Sequence, residues 1–82
     1  MITAKVVTLQ AGHDHDKERA REWDLKLGVA YNVDRISMGQ SSTTIHLVDY
    51  PYGFNSVFFE FYEDGKPLDI YADKRFNQYL NW

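Results

Sequence analysis

The chain has 82 residues, of which 44% are apolar and 26% charged, and it contains no cysteine. At this length we expect one domain, residues 1–82, because two separate cores would each bury too little surface. The lack of cysteine excludes disulfide scaffolds and thiolate metal sites, and a net charge of −3 argues against a protein that binds nucleic acid by phosphate neutralisation.

The first predicted element is a short strand at the start of the chain. Ile2, Ala4 and Val6 alternate with other side chains in a segment rich in β-branched residues. Gly12 ends this segment. The pattern indicates a strand with one buried face.

A charged segment, residues 13–23, follows without proline or glycine. Asp14 or Asp16 can cap a helix here, and Ala20 and Trp23 are three residues apart on one helical face. The segment predicts either one or two helical turns or an ordered polar loop.

Alternating apolar residues predict two strands in the middle of the chain. From Leu25 to Val33 alternate residues are apolar, with a bend expected at Gly28. The apolar phase then flips, which predicts a β-bulge near Asp34. After a turn at residues 39–42, residues 43–48 form the next predicted strand.

Three more elements are predicted towards the end of the chain. Residues 57–62 form a strand with Val57, Phe59 and Phe61 on one face. Asp64-Gly65 predicts a tight hairpin to a return strand that begins at Leu68. In the last predicted element, a short helix, one residue caps and three apolar residues share a face: Asp73, Phe76, Tyr79 and Leu80.

These elements predict a mainly β fold. Short strands, tight turns and little helix in one small domain favour a five-stranded, SH3-like antiparallel barrel with one or two short helical segments. Closure of a barrel also removes exposed strand edges. The alternative is a small α+β domain with the helices on one face of an antiparallel sheet.

Two segments carry a resemblance to a known group. Residues 25–33 read L-x-L-G-x-x-Y-x-V, and residues 54–61 read FNS-x-x-FEF. Between Leu25 and Phe61 the chain therefore resembles small phage- and prophage-encoded proteins of unknown function, many of which are thought to be SH3-like barrels. The resemblance implies an origin in a mobile element and a place in the bacterial cytosol, and it implies no catalytic residues.

The sequence offers little for catalysis or for metal binding. His13 and His15 are weak metal candidates, since a closed site needs about four ligands and only His46 remains as another histidine. Ser41, Ser42, His46 and Asp49 have the residue types of a nucleophilic triad without its glycine-rich nucleophile turn. We therefore expect no enzyme activity, no metal and no cofactor.

The most distinctive candidate for recognition is the loop that contains Tyr50, Tyr52 and Phe54 around Pro51. Rigid aromatic side chains on a tight loop lose little entropy when a partner binds them. The competing interpretation is that Tyr50 and Phe54 fold back and complete the core. The sequence leaves both open.

These observations predict a non-catalytic protein-interaction module of phage type that binds a host or phage protein, with a host defence protein as a natural target. The alternative is a protein that sequesters or senses a small nucleotide-like or metal ligand. Binding to nucleic acid is disfavoured because few basic residues lie outside the mixed-charge segment. The chain shows neither a signal peptide nor about 18 consecutive apolar residues, so we expect a small acidic cytoplasmic protein. Self-association remains open.

Overall fold

The computed structural model describes residues 1–39 and 41–77. It contains six strands, one α-helix and one 3₁₀ turn. In chain order these are β1 (Ile2–Val6), α1 (Asp14–Glu22), β2 (Ala30–Met38), β3 (Thr43–Leu47), β4 (Gly53–Asn55), the 3₁₀ turn (Ser56–Phe58), β5 (Phe59–Glu63) and β6 (Lys66–Leu68). No helix in the described part of the chain is both long and apolar enough to cross a membrane.

The six strands form one antiparallel sheet in the order β4-β3-β2-β1-β5-β6. β1 lies in the centre, between β2 and β5, while β4 and β6 form the two edges. The predicted closed five-stranded barrel is therefore wrong, because β4 and β6 do not pair with each other. The chain is a small α+β domain, which was the alternative.

One face of the sheet carries the core. Ala4 lies opposite Phe61, and Val6 lies opposite Phe59, so that small and large side chains face each other on neighbouring strands. All four are buried. The buried apolar residues of the whole core are Ala4, Val6, Ala20, Leu25, Ile45, Leu47, Phe54, Phe58, Phe59, Phe61 and Ile70.

The strand predicted to begin at Leu25 begins five residues later. The backbone amide of Leu25 donates to the carbonyl of Ala20, while Asp24 adopts a positive φ of 56°. This is the Schellman arrangement that ends helices, with a buried contact between the residues it joins. A turn at Gly28, with a φ of 82°, then leads into β2.

Two other local predictions are confirmed. The register of β2 against β3 shifts between Val33 and Arg35, which is the predicted bulge. Asp64 and Gly65 both have positive φ and connect β5 to β6, as the hairpin signal indicates. The predicted start of the return strand at Leu68 is wrong, because pairing begins directly after the turn and β6 runs from Lys66 to Leu68.

The predicted strand at residues 57–62 is wrong at its first two residues. Ser56–Phe58 form a 3₁₀ turn, and the Asn55 side chain accepts a hydrogen bond from the amide of Val57 at 3.2 Å. The turn rotates Val57 outwards and places Phe58, with no exposed surface, in the core. Strict alternation fails because a 3₁₀ turn has a period of three residues.

After β6 the chain crosses back onto the core. Ile70 is buried there, and the hydroxyl groups of Tyr71 and Ser56 lie 2.6 Å apart. At the predicted last helix, Asp73 begins a turn, and its carbonyl accepts from the amide of Asn77. Tyr79 and Leu80, which were predicted to complete that helix, lie outside the described residues.

Candidate functional site

The aromatic loop between β3 and β4 divides its three predicted binding residues between surface and core. Tyr50 is half-buried, Tyr52 is 49% exposed and Phe54 is only 2% exposed. Phe54 lies on β4 opposite Ile45, so its ring forms part of the core. The loop therefore exposes Tyr52 to solvent, while Phe54 lies in the core and contacts the ring of Tyr50.

Tyr50 joins the loop to the core through edge-to-face ring contacts. Its ring centroid lies 5.9 Å from that of Tyr31 and 5.7 Å from that of Phe54, at interplanar angles of 88° and 75°. Such arrangements place the positive ring edge against the negative ring face. Burial raises the pKa of Tyr50 above its ordinary value, and nearby Tyr31 and Asp24 add to the increase. The phenol of Tyr50 therefore stays neutral, and its ring contacts join the loop to the core.

The last turn of α1 and its C-cap residue, Trp23, lie against the exposed Tyr52 and its neighbour Tyr50. The ring of Trp23 lies 5.7 Å from that of Tyr52 and 6.4 Å from that of Tyr50. The guanidinium carbon of Arg19 lies 4.8 Å from the Tyr52 centroid, within the range of a cation–π contact. We call these four residues, Arg19, Trp23, Tyr50 and Tyr52, the aromatic surface.

Arg19 and Trp23 were not predicted as site residues. They are four residues apart at the C-terminal end of α1, which places them on one helical side. That spacing was the available signal, but it became informative only when the helix was shown to lie against the loop after β3. The indole Nε1 of Trp23 is buried and has no hydrogen-bond partner in the described part of the chain.

The two candidate metal ligands lie at the other end of α1. The rings of His13 and His15 stack with centroids 5.7 Å apart and an interplanar angle of 10°. Nε2 of His15 lies 3.5 Å from Oδ1 of Asp16. Across residues 1–39 and 41–77, no group of three or more histidine, cysteine or carboxylate side chains is arranged to hold a metal ion.

Asp16 is the best-connected side chain at this end of the helix. Its Oδ2 accepts from the backbone amide of His13 at 2.9 Å and from the side-chain amide of Asn55 at 3.1 Å. Burial alone would raise the pKa of Asp16, but these two hydrogen bonds and the neighbouring imidazoles lower it overall. The carboxylate therefore stays charged and joins α1 to the end of β4.

A polar cavity of about 440 Å³ lies beside this junction. Helix α1 contributes His15 and Arg19, while the turn after β2 contributes the exposed Ser42. Among the described residues its lining is His13, His15, Asp16, Arg19, Ser41, Ser42, Thr43, Thr44, Gly53, Phe54 and Asn55. The lining combines the guanidinium of Arg19 and several hydroxyl groups, which can bind a small anion, with the carboxylate of Asp16, which repels one.

In a comparison with known protein families, residues 1–82 match the family described as bacteriophage T4 protein Y07B. Neither the curated proteins nor the solved structures show a significant match. The phage origin implied by the sequence resemblance is therefore supported, whereas the SH3-like barrel is not. Because the match spans the whole sequence, the chain belongs to the bacteriophage T4 protein Y07B family.

Proposed function

We propose that this phage protein is a non-catalytic interaction module that binds a host or phage protein through the aromatic surface. The observation that carries the proposal is the position of Tyr52, which is 49% exposed and contacts both Arg19 and Trp23. Membership of a phage family favours a host protein, such as one that acts in defence, as the target that the module inhibits or modulates.

The composition of the aromatic surface supports this role. Binding energy at protein interfaces is concentrated in a few residues, among which tryptophan, tyrosine and arginine are enriched. Here one arginine, one tryptophan and two tyrosines lie together.

The support beneath the surface also favours binding. Tyr50 is held by Tyr31 and Phe54, and Tyr52 is held by Trp23. A partner therefore meets side chains that are already ordered, and association costs less conformational entropy. A loop with no contacts to the helix would lose this advantage.

The test is affinity capture from a bacterial lysate with nuclease, followed by measured binding of the captured protein to Tyr52→Ala. We expect affinity to fall by about fivefold or more, which corresponds to roughly 1 kcal/mol. Tyr71→Ala is the control for the loss of an exposed tyrosine, because Tyr71 is 48% exposed and makes no ring contact with the aromatic surface among the described residues. It also removes the contact with the Ser56 hydroxyl, so affinities are compared at a temperature at which both variants are folded. Thermal melting of both variants verifies that they fold.

Two results would contradict the proposal. One is a captured partner that binds Tyr52→Ala and the unaltered chain equally well. The other is a loss of affinity in Tyr71→Ala that matches the loss in Tyr52→Ala, since this would indicate a general effect of removing an exposed tyrosine.

A second candidate function is the sequestering or sensing of a small ligand, and the polar cavity beside α1 favours it. A nucleotide-like ligand would place its anionic groups near Arg19 and the hydroxyl of Ser42. Any ligand that binds only the folded state raises its stability by mass action, by about 2.7 kcal/mol at 100 times its Kd. A panel of nucleotides and divalent metals that leaves the melting temperature unchanged would count against this function.

A further inference from the structure

The two outer edges of the sheet are each blocked against further strand pairing. On β6, Lys66 and Pro67 place a charge and a residue without an amide hydrogen at the edge. At the other edge, α1 lies against β4, and Asp16 bonds to Asn55. Both devices are familiar ways of preventing edge-to-edge association.

The second half of β2 forms a further open edge, and no comparable feature blocks it within the described residues. β2 pairs with β3 along its second half, up to Met38, but it pairs with β1 only at residues 30–32. β1 runs antiparallel to β2 and its first residue is Ile2, so no residue of β1 lies beside the second half of β2. Within the described part of the chain, residues 35–38 therefore have a strand on one side only.

The direction of the free backbone groups follows from two hydrogen bonds. The amide of Gly39 donates to the carbonyl of Ser42 across the hairpin, and the carbonyl of Asn32 accepts from the amide of Val48. The backbone groups of Gly39 and Asn32 therefore both point towards the β3 side of β2. Since successive residues of a strand point to opposite sides, and the bulge at Asp34 adds one residue, Ile36 and Met38 point away from β3. Each offers one N–H and one C=O at the open edge.

We propose that this open edge, residues 35–38 of β2, pairs with the same edge of a second copy of the chain to form a two-fold symmetric, antiparallel dimer. The register is set by the outward groups. Ile36 of each copy lies opposite Met38 of the other, and the pair exchanges two hydrogen bonds. The symmetry axis passes between the two Ser37 residues, and four hydrogen bonds cross the interface.

The side chains agree with this register. Ile36 and Met38 are half-buried on the core face of each copy, opposite the buried Ile45 and Thr43, so their contact across the axis extends an apolar surface. Ser37 is exposed on the opposite face. The pairing therefore leaves no polar side chain against an apolar one.

Charge does not oppose the pairing of two copies. Arg35 of one copy lies opposite Gly39 of the other, so no like charges face each other directly. The two arginines are four residues apart along the strands, about 13 Å, which exceeds the Debye length of about 8 Å at physiological ionic strength. The length fits as well, because the open segment runs only from the end of β1 to the hairpin turn.

The proposal is tested by disulfide formation and by sedimentation. Ser37→Cys would place two thiols opposite each other at the axis, in a pair whose Cα separation of about 4.5 Å suits a disulfide. The chain contains no cysteine, so no other thiol competes. Asn32→Cys is the matched control, since Asn32 is exposed on the same strand but paired with β1.

We expect Ser37→Cys to form a covalent dimer about tenfold or more faster than Asn32→Cys, because pairing raises the local thiol concentration. Sedimentation between about 1 µM and 1 mM should show a dimer that Ser37→Lys, which opposes two charges at the axis, returns to monomer. Equal oxidation rates, a monomer at every concentration, or a dimer that persists in Ser37→Lys would each overturn the proposal.

One further variant distinguishes a second copy from the chain's own end. A chain that stops after Asn77 should dimerise as the full chain does. If only the shortened chain dimerises, residues 78–82 compete for the edge and the proposal is wrong. None of these results depends on the aromatic surface, so the dimer and the proposed function can fail separately.

Discussion

The side-chain amide of Asn55 donates a 3.1 Å hydrogen bond to Oδ2 of Asp16, and this bond joins α1 to the end of β4. The two residues are 39 positions apart in the chain. Both also serve local roles, since Asp16 accepts from the amide of His13 and Asn55 caps the 3₁₀ turn through the amide of Val57. One polar pair thus supports the beginning of a helix, the beginning of a turn and the contact between them.

Asp16→Asn should destabilise the fold by about 1 to 3 kcal/mol, because a charged acceptor of two hydrogen bonds is lost from a largely buried position. Urea denaturation measures the change. Asp14→Asn is the control, since Asp14 lies in the same helical turn, is exposed and also removes one charge near the helix N-terminus. Equal destabilisation by both variants would show that only the helix dipole matters.

The same pair predicts a dependence on pH. The pKa of Asp16 is lowered in the folded protein, so its contribution to stability is present above the ordinary aspartate pKa of about 4 and is lost as pH falls through the folded value. As the pH is lowered below 4, we expect the urea midpoint of the unaltered chain to decrease by more than the urea midpoint of Asp16→Asn does. Parallel curves would contradict this assignment.

The parts of the fold that the sequence predicted are those set by neighbouring residues. Alternation identified β1, a phase change identified the bulge at Asp34, and Asp64-Gly65 identified the hairpin between β5 and β6. The start of β2 was misplaced because Leu25, although in phase with a strand, ends the helix in a Schellman arrangement. Local pattern does not distinguish a buried helix terminus from the first residue of a buried strand.

The barrel was predicted partly because closure of a barrel removes exposed strand edges. The open sheet instead protects its two edge strands, β4 and β6, in other ways. A barrel needs its first and last strands to pair, and that long-range contact leaves no trace in local periodicity. Instead Pro67 interrupts one edge, and α1 covers the other. The candidate site shows the same limit, since the loop with Tyr52 was predicted but its contacts with Arg19 were not.

Gly53→Ala should destabilise the protein because no methyl group fits at this position. A Cβ built on Gly53 would overlap Cγ2 of Thr44 and lie 3.1 Å from Cε1 of His46. Gly53 is the first residue of β4 and pairs with His46, so the strand cannot move away without losing its pairing. Overpacking of this kind costs about 1 to 3 kcal/mol, which thermal or urea unfolding will show.

The reason for that cost can be separated from the general effect of replacing a glycine. Thr44→Ser removes Cγ2 and keeps the hydroxyl group, so the double variant Gly53→Ala with Thr44→Ser should recover most of the lost stability. Gly65→Ala is unsuitable as a comparison because Gly65 has a φ of 83°, whereas the conflict at Gly53 is one of space. Additive effects in the double variant would exclude the methyl overlap as the cause.

Arg75 anchors the segment after β6 to the end of β5. Its two terminal nitrogens donate to both carboxylate oxygens of Glu63 at 2.9 and 2.8 Å, and it also bonds to Asp73 at 2.7 Å. These hydrogen bonds lower the pKa of Glu63 and of Asp73. Arg75→Gln should therefore raise both pKa values towards their ordinary range, as followed by carboxyl carbon shifts in an NMR titration.

The stability that Arg75 provides should disappear in acid. Because both carboxyl pKa values are lowered on folding, the contribution is present above about pH 4 and is lost as pH falls through the folded values. Arg75→Gln should thus lose less stability than the unaltered chain between pH 5 and pH 3. Arg21→Gln removes one positive charge at an exposed helix position that has no ion pair with Glu63 or Asp73. If Arg21→Gln raised the pKa of Glu63 as much as Arg75→Gln does, net charge rather than the paired guanidinium would explain the effect.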